Sequence, residues 1–171
     1  DGFPIIRFSR RPFRKLYIKI RKKIFKKELS HYNQITQNSA KLVERKYNTY
    51  YSGKAHHNID GYLKSDCIHT EEMFKDEIEA TLTNHVRSSN DIQRHLYYYV
   101  SLAEKRGHLD YVTQKTSFRF HIHNQKHYSK LEKYNPMLFC MNDSEYALDC
   151  HRIMAKNYLG NRFPQKSQFE K

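Results

Sequence analysis

Apolar positions recur at helical spacing along most of the chain, and in two places they alternate or run unbroken as strands do. Phe13, Leu16, Tyr17, Ile20 and Ile24 predict one apolar stripe on a helix over residues 10–27, with Ser9 as its cap and Pro12 in its first turn. Residues 30–54 are polar and weakly patterned, and predict only a short helix around Ser39–Tyr47 with Leu42 and Val43 inward. Lys54–Asn58 reads as a loop. Leu63, Met73, Phe74, Ile78 and Leu82 predict helix in two pieces between Tyr62 and Leu82. Ile92, Leu96, Tyr99, Val100 and Ala103 give the clearest helix, capped by Ser88 or Ser89 and stopped by Gly107.

Phe118-Arg119-Phe120-His121-Ile122-His123 alternates and predicts a half-buried strand. Met137–Met141, behind Pro136, predicts a second strand that Asn142-Asp143 terminates. A last helix follows, capped by Asp143 or Ser144, with Ala147, Leu148, Met154, Tyr158 and Leu159 inward and Gly160 and Pro164 at its end. No internal repeat is visible, and no linker separates two domains. The fold class expected is mixed α/β, predominantly helical with a few strands.

Charge changes this picture in one place. The 171 residues hold 31 Lys+Arg and 18 Asp+Glu, a net +13, but residues 10–27 carry ten of the basic residues and no acid. The rest of the chain is nearly balanced. A basic amphipathic helix can lie on an anionic membrane through Lys22, Lys23, Lys26 and Lys27. It can track nucleic-acid phosphates, or leave its lysines in solvent while its stripe packs on a domain. Nucleic acid is the least favoured of the three. Fourteen Tyr and ten Phe supply core volume, since Tyr buries a ring and keeps a polar tip. No apolar run approaches the roughly 18 residues of a membrane span. Asp1-Gly2-Phe3-Pro4 reads neither as a basic leader nor as the start of an apolar one. Cys67, Cys140 and Cys150 are odd in number and lack CxxC spacing, which argues against a disulfide framework and for a reducing compartment.

Four constellations could carry chemistry. His56-His57 lies in a loop, where an imidazole can take a proton near neutrality. His121-x-His123, with His127 nearby, puts two imidazoles on one strand face within reach of a metal, though no Cys or carboxylate is close in sequence. Val86-Arg87-Ser88-Ser89-Asn90-Asp91 combines a guanidinium with a helix start, which suits an anion or merely caps the helix. Asn142-Asp143 stands after a strand, where a carboxylate can hold a divalent cation or a substrate hydroxyl, or again cap a helix. There is no Walker loop, GxGxxG, GxSxG or HExxH.

Two longer stretches give a more specific reading. Residues 55–100 run from Ala55-His56 through Thr81, Arg87 and Asp91 to Tyr97-Tyr98-Tyr99, and this resembles the third conserved region of the Stealth family of sugar-phosphate transferases. Residues 138–170 carry Asn142, Asp143, Phe163, Pro164, Ser167, Phe169 and Glu170, and are similar to that family's fourth region. The two stretches cover about half the chain and stand in the family's order. The resemblance implies transfer of a sugar 1-phosphate from a nucleotide sugar, with UMP leaving a UDP-sugar, to a hydroxyl of a growing capsule or exopolysaccharide glycan. It implies catalytic roles for His56, Arg87 and Asp143. His56 would take the acceptor's proton, and Arg87 would stabilise charge on the phosphoryl oxygens. Asn142, Asp91 and His57 would contact substrate. Asp143 is also the candidate ligand of a divalent cation, Mg2+.

The family's first two regions, with their aspartate-rich nucleotide-sugar site, have no counterpart here, and Asn58 stands where eukaryotic members carry proline. The chain is therefore expected to be the C-terminal portion of a larger α/β transferase domain, or to need a partner chain or a second copy. Lys-, Asn- and Tyr-rich usage and free cysteines favour a bacterial cytoplasmic protein, peripheral on the inner membrane face. The competing class is a non-enzymatic basic module that binds anionic membrane or nucleic acid.

Overall fold

Ile6 and Phe8 alternate with Ile5, Arg7 and Ser9, and this period of two makes β1 (Ile5–Ser9) the central strand of a sheet. The computed structural model of the chain describes residues 2–9, 16, 18, 20, 29–55, 61–165 and 168. After β1 come α1 (His31–Tyr47), β2 (Lys54–Ala55), α2 (Lys64–Met73), α3 (Lys75–Leu82), α4 (His95–Ala103) and β3 (His108–Val112). Then follow β4 (Ser117–His121), α5 (Lys126–Tyr134), β5 (Leu138–Asn142) and α6 (Asp149–Arg162). The fold is mixed α/β and mainly helical. Its contacts fall into two compact units, Asp1–Val112 and Thr113–Lys171.

In the first unit the sheet runs β2-β1-β3, antiparallel on the β2 side and parallel on the β3 side. Parallel strands need a long crossover, and the helices α1 to α4 supply it. Ile6 and Phe8 pack on Leu42 and Val43 of α1 and on Leu96, Tyr99 and Val100 of α4. Burying a side chain such as Leu96, 1% exposed, contributes about 1.5–3 kcal/mol. Gly53 is needed where the chain passes this core, because a Cβ there would stand 2.9 Å from Cβ of Phe8 and closer still to its ring. Gly53→Ala is expected to cost about 1–3 kcal/mol in urea unfolding through overpacking. Gly160 is the counterpart. It lies inside α6 with nothing near its missing side chain, so Gly160→Ala should stabilise by about 0.5–1 kcal/mol. A neutral Gly53→Ala would show that Phe8 moves aside without cost.

In the second unit β4 and β5 pair in parallel, Phe118 against Phe139 and His121 against Asn142, with α5 as their crossover. Phe118, Phe120 and Leu131 form its core with Tyr128, Phe139, Met141 and Tyr158. Ile122, Ala147 and Ala155 form a second small cluster.

Several expected boundaries move. α1 begins at His31, eight residues before the expected Ser39, because its inward face is partly polar. Lys54–Ala55 is a short strand rather than loop. β1 and β3 lie where no strand was expected. The two-piece helix is as expected, broken at the buried Phe74 with φ −120° and ψ 34°. Ser88 and Ser89 cap no helix: Asp91 closes them into a turn, and α4 starts at His95. Gly107 does not stop α4, which ends at Ala103, with Lys105 at φ 58°; Gly107 instead makes room for Ile6. α6 starts at Asp149, not after Asp143 or Ser144, and runs through Gly160. Its buried residue is Ala155, while Leu148 and Leu159 are exposed. Of the basic segment, Leu16, Ile18 and Ile20 are described. Ile18 is buried while Leu16 and Ile20 of the expected stripe are exposed; Phe13, Tyr17 and Ile24 lie outside the described residues. Lys22, Lys23, Lys26 and Lys27 lie outside the described residues. No helix among the described residues is long and apolar enough to cross a membrane.

Candidate functional site

Each unit carries part of the expected site. In the first unit the chain is fixed right up to Ala55. Tyr99 donates its hydroxyl to the Gly53 carbonyl at 2.6 Å, and β2 pairs Ala55 with Phe8. Lys54 donates to Asn33 Oδ1 at 2.5 Å and lies over the Tyr32 ring. His56 and His57, next in sequence, lie outside the described residues.

Arg87 belongs to the turn between α3 and α4, and its side chain is exposed. Asp91, 8% exposed, fastens that turn. Its carboxylate accepts from Asn84 Nδ2 at 2.6 Å and from the Ser88 N–H at 2.8 Å. Asn38 of α1 donates to the carbonyls of Ser89 and Asp91, and His31 donates to that of Ser88. Thr81 accepts from the Ile92 N–H. The residues of the third-region resemblance thus hold one another: Thr81 and Asp91 shape the turn, and Arg87 is left pointing to solvent. A cavity of about 220 Å³ sits at this turn, lined by Thr81, Asn84, Ser88 and Asp91 among others.

In the second unit Asn142 ends β5 and Asp143 follows it, at the carboxyl end of a parallel pair. Ligands of open α/β sheets gather at such ends. Cys140 donates its thiol to Asn142 Oδ1 at 3.1 Å. Asp143 is exposed, and Arg152 of α6 donates to both its oxygens, at 2.9 and 3.3 Å. Arg152 also donates to Asp149 at 3.0 Å. The hydrogen bond from Arg152, then that from the Ser144 N–H, hold the Asp143 carboxyl below its usual range. Its folded pKa is depressed, so the bridge acts at neutral pH and is lost as pH falls through that lowered value. Arg152→Gln should raise the Asp143 titration midpoint, read by carboxyl 13C NMR. An unmoved midpoint would assign the shift to the Ser144 N–H instead.

Sequence spacing alone did not reveal the ring cluster beside this carboxylate. His121 and His123 stack with centroids 5.6 Å apart. His123 Nδ1 and Ser144 Oγ share a hydrogen bond of 3.0 Å, and Tyr146 and His151 meet the His123 ring edge to face. His151 Nδ1 accepts the Leu148 N–H at the start of α6. His127 stands apart from the cluster. It packs edge-on against Phe118 and Phe120, where burial lowers its pKa. Among the described residues no group of three or more His, Cys, Asp or Glu side chains is arranged to hold a metal ion. Arg152 donates to both Asp143 oxygens, so a divalent cation there would compete with the guanidinium. All three cysteines are free, Cys150 exposed and the other two half-buried.

No protein-family model matches the chain, and no curated protein matches it either.

Proposed function

We propose that this chain serves the transfer of a sugar 1-phosphate from a nucleotide sugar, a UDP-sugar by the resemblance, to a glycan hydroxyl in capsule or exopolysaccharide synthesis. The observation that supports the reading most is the pair Asn142-Asp143 at the carboxyl end of parallel β5. The exposed Arg87 on a turn braced by Asp91 supports it as well. In this reading His56 accepts the acceptor's proton and Arg87 stabilises the phosphoryl oxygens as they gain charge. Asp143 orients Arg152, and Asn142 holds substrate. No step is routed through a divalent cation.

The test is UMP release. The protein is incubated with UDP-sugars and a glycan acceptor, alone and together with a chain that carries the aspartate-rich regions. UMP formed in step with glycan phosphorylation is the expected result. No UMP in either mixture would overturn the reading. The same reading keeps the enzyme at an anionic membrane through its basic segment. Changing Lys22, Lys23, Lys26 and Lys27 to Gln should weaken binding to phosphatidylserine vesicles, with the difference shrinking at high salt. Equal binding at low salt would leave those lysines as solvated surface.

A further inference from the structure

The rings at the ends of β4 and β5 suit a sugar better than an anion. The strong charges beside them disfavour an anion, because Arg152 bridges Asp143 and Asp149, one positive charge against two negative. Beside these charges stand groups suited to hydroxyls: the Ser144 hydroxyl, the His123 imidazole and the Asn142 amide. Phosphate recognition calls instead for uncommitted cationic donors. The rings supply the other half of the chemistry. Tyr146 is 71% exposed and stands 6.0 Å from His123, which in turn stacks on His121. A pyranose offers apolar C–H faces to aromatic rings and hydroxyls that both donate and accept.

We infer that this ring cluster is the subsite for a sugar ring of the acceptor glycan. The inference rests on the transfer reading above and gives its acceptor a place. Ser144 tethers Nδ1 of His123, so Nε2 is the imidazole atom that meets a sugar hydroxyl. Tyr146 provides the stacking face. Its exposure also makes it a safe position to change, because no core contact is lost.

The experiment titrates the isotope-labelled full chain with the methyl glycosides of glucose, galactose, mannose and N-acetylglucosamine, followed by NMR. At least one glycoside should move the His123 side-chain and the Ser144 and Tyr146 backbone resonances while leaving His85 and His108 unmoved. Tyr146→Ala should weaken that binding about tenfold, and Tyr146→Phe should stay within about twofold. Failure of all four glycosides to move the cluster, or equal binding by Tyr146→Ala, overturns the inference. UMP release separates this from the transfer reading. Sugars that bind the cluster without UMP release from any UDP-sugar leave the subsite standing and sink the transferase. UMP release with an unmoved cluster does the reverse.

Discussion

His56→Ala is expected to lower turnover by about 10²–10⁴-fold, the usual contribution of a positioned general base. Arg87→Ala should lose about 10²–10³-fold, because a preorganised guanidinium acts on charge that develops only in the transition state. Both losses should fall on kcat, with the affinity for nucleotide sugar near that of the unaltered protein. Arg87 is exposed and engages no core contact, so its removal leaves the turn to Asp91, Asn38 and Thr81. His57→Ala is the internal control. It adjoins His56 but stands outside the motif position, and should keep most of the activity. Steady-state assays of UMP release give all three values. An inactive His57→Ala beside an active His56→Ala would reverse the assignment within the pair. Full activity in both would remove the general-base role from His56 and His57.

What the sequence showed and what it hid follow from the kind of contact involved. β4 was legible because Phe118 and Phe120 face one core while Arg119 and His121 face out. β5 was legible as an apolar run closed by Asn142-Asp143. The first turns of α1 were not, because its buried residues there include Thr36 and Ser39. Their hydroxyls bond the carbonyls of Tyr32 and Ile35, and Ser39 also exchanges hydrogen bonds with the backbone of Gln93. Hydropathy counts such residues as outward, whereas satisfied hydroxyls are buried at little cost. β3 was hidden for the opposite reason. It is a sheet edge exposed along nearly its whole length, so no alternation marks it. The candidate site divides the same way. Arg87 and Asn142-Asp143 could be read from local pattern. The grip of Arg152 on Asp143 and the meeting of His123 with Ser144 and His151 join residues brought together only by the β4–α5–β5–α6 fold.

Arg106→Ala is expected to be the most destabilising single change to a charged residue in the first unit. Asp66, in the first turn of α2, is 4% exposed. One of its oxygens accepts from Arg106 at 2.7 Å, and the other accepts from the Ser101 hydroxyl at 3.0 Å. Arg106 also reaches Ser65 at 3.1 Å, so it ties α2 to the segment that leads from α4 into β3. Removing one partner of a buried pair leaves an uncompensated charge, at a cost of about 3–5 kcal/mol. Arg106 itself is 40% exposed, so water enters the gap and the lower end, about 3 kcal/mol, is the value expected. Urea unfolding measures it. Asp66→Asn on the Arg106→Ala background should recover part of the loss, because it removes the stranded charge and keeps an acceptor for Ser101. The consequence reaches the site: α4 carries Tyr99, whose hydroxyl fixes Gly53 just ahead of His56. Arg106→Ala should therefore reduce turnover together with stability, whereas Arg87→Ala reduces turnover alone. A loss below about 1 kcal/mol for Arg106→Ala would mean that Ser101 and solvent suffice for Asp66.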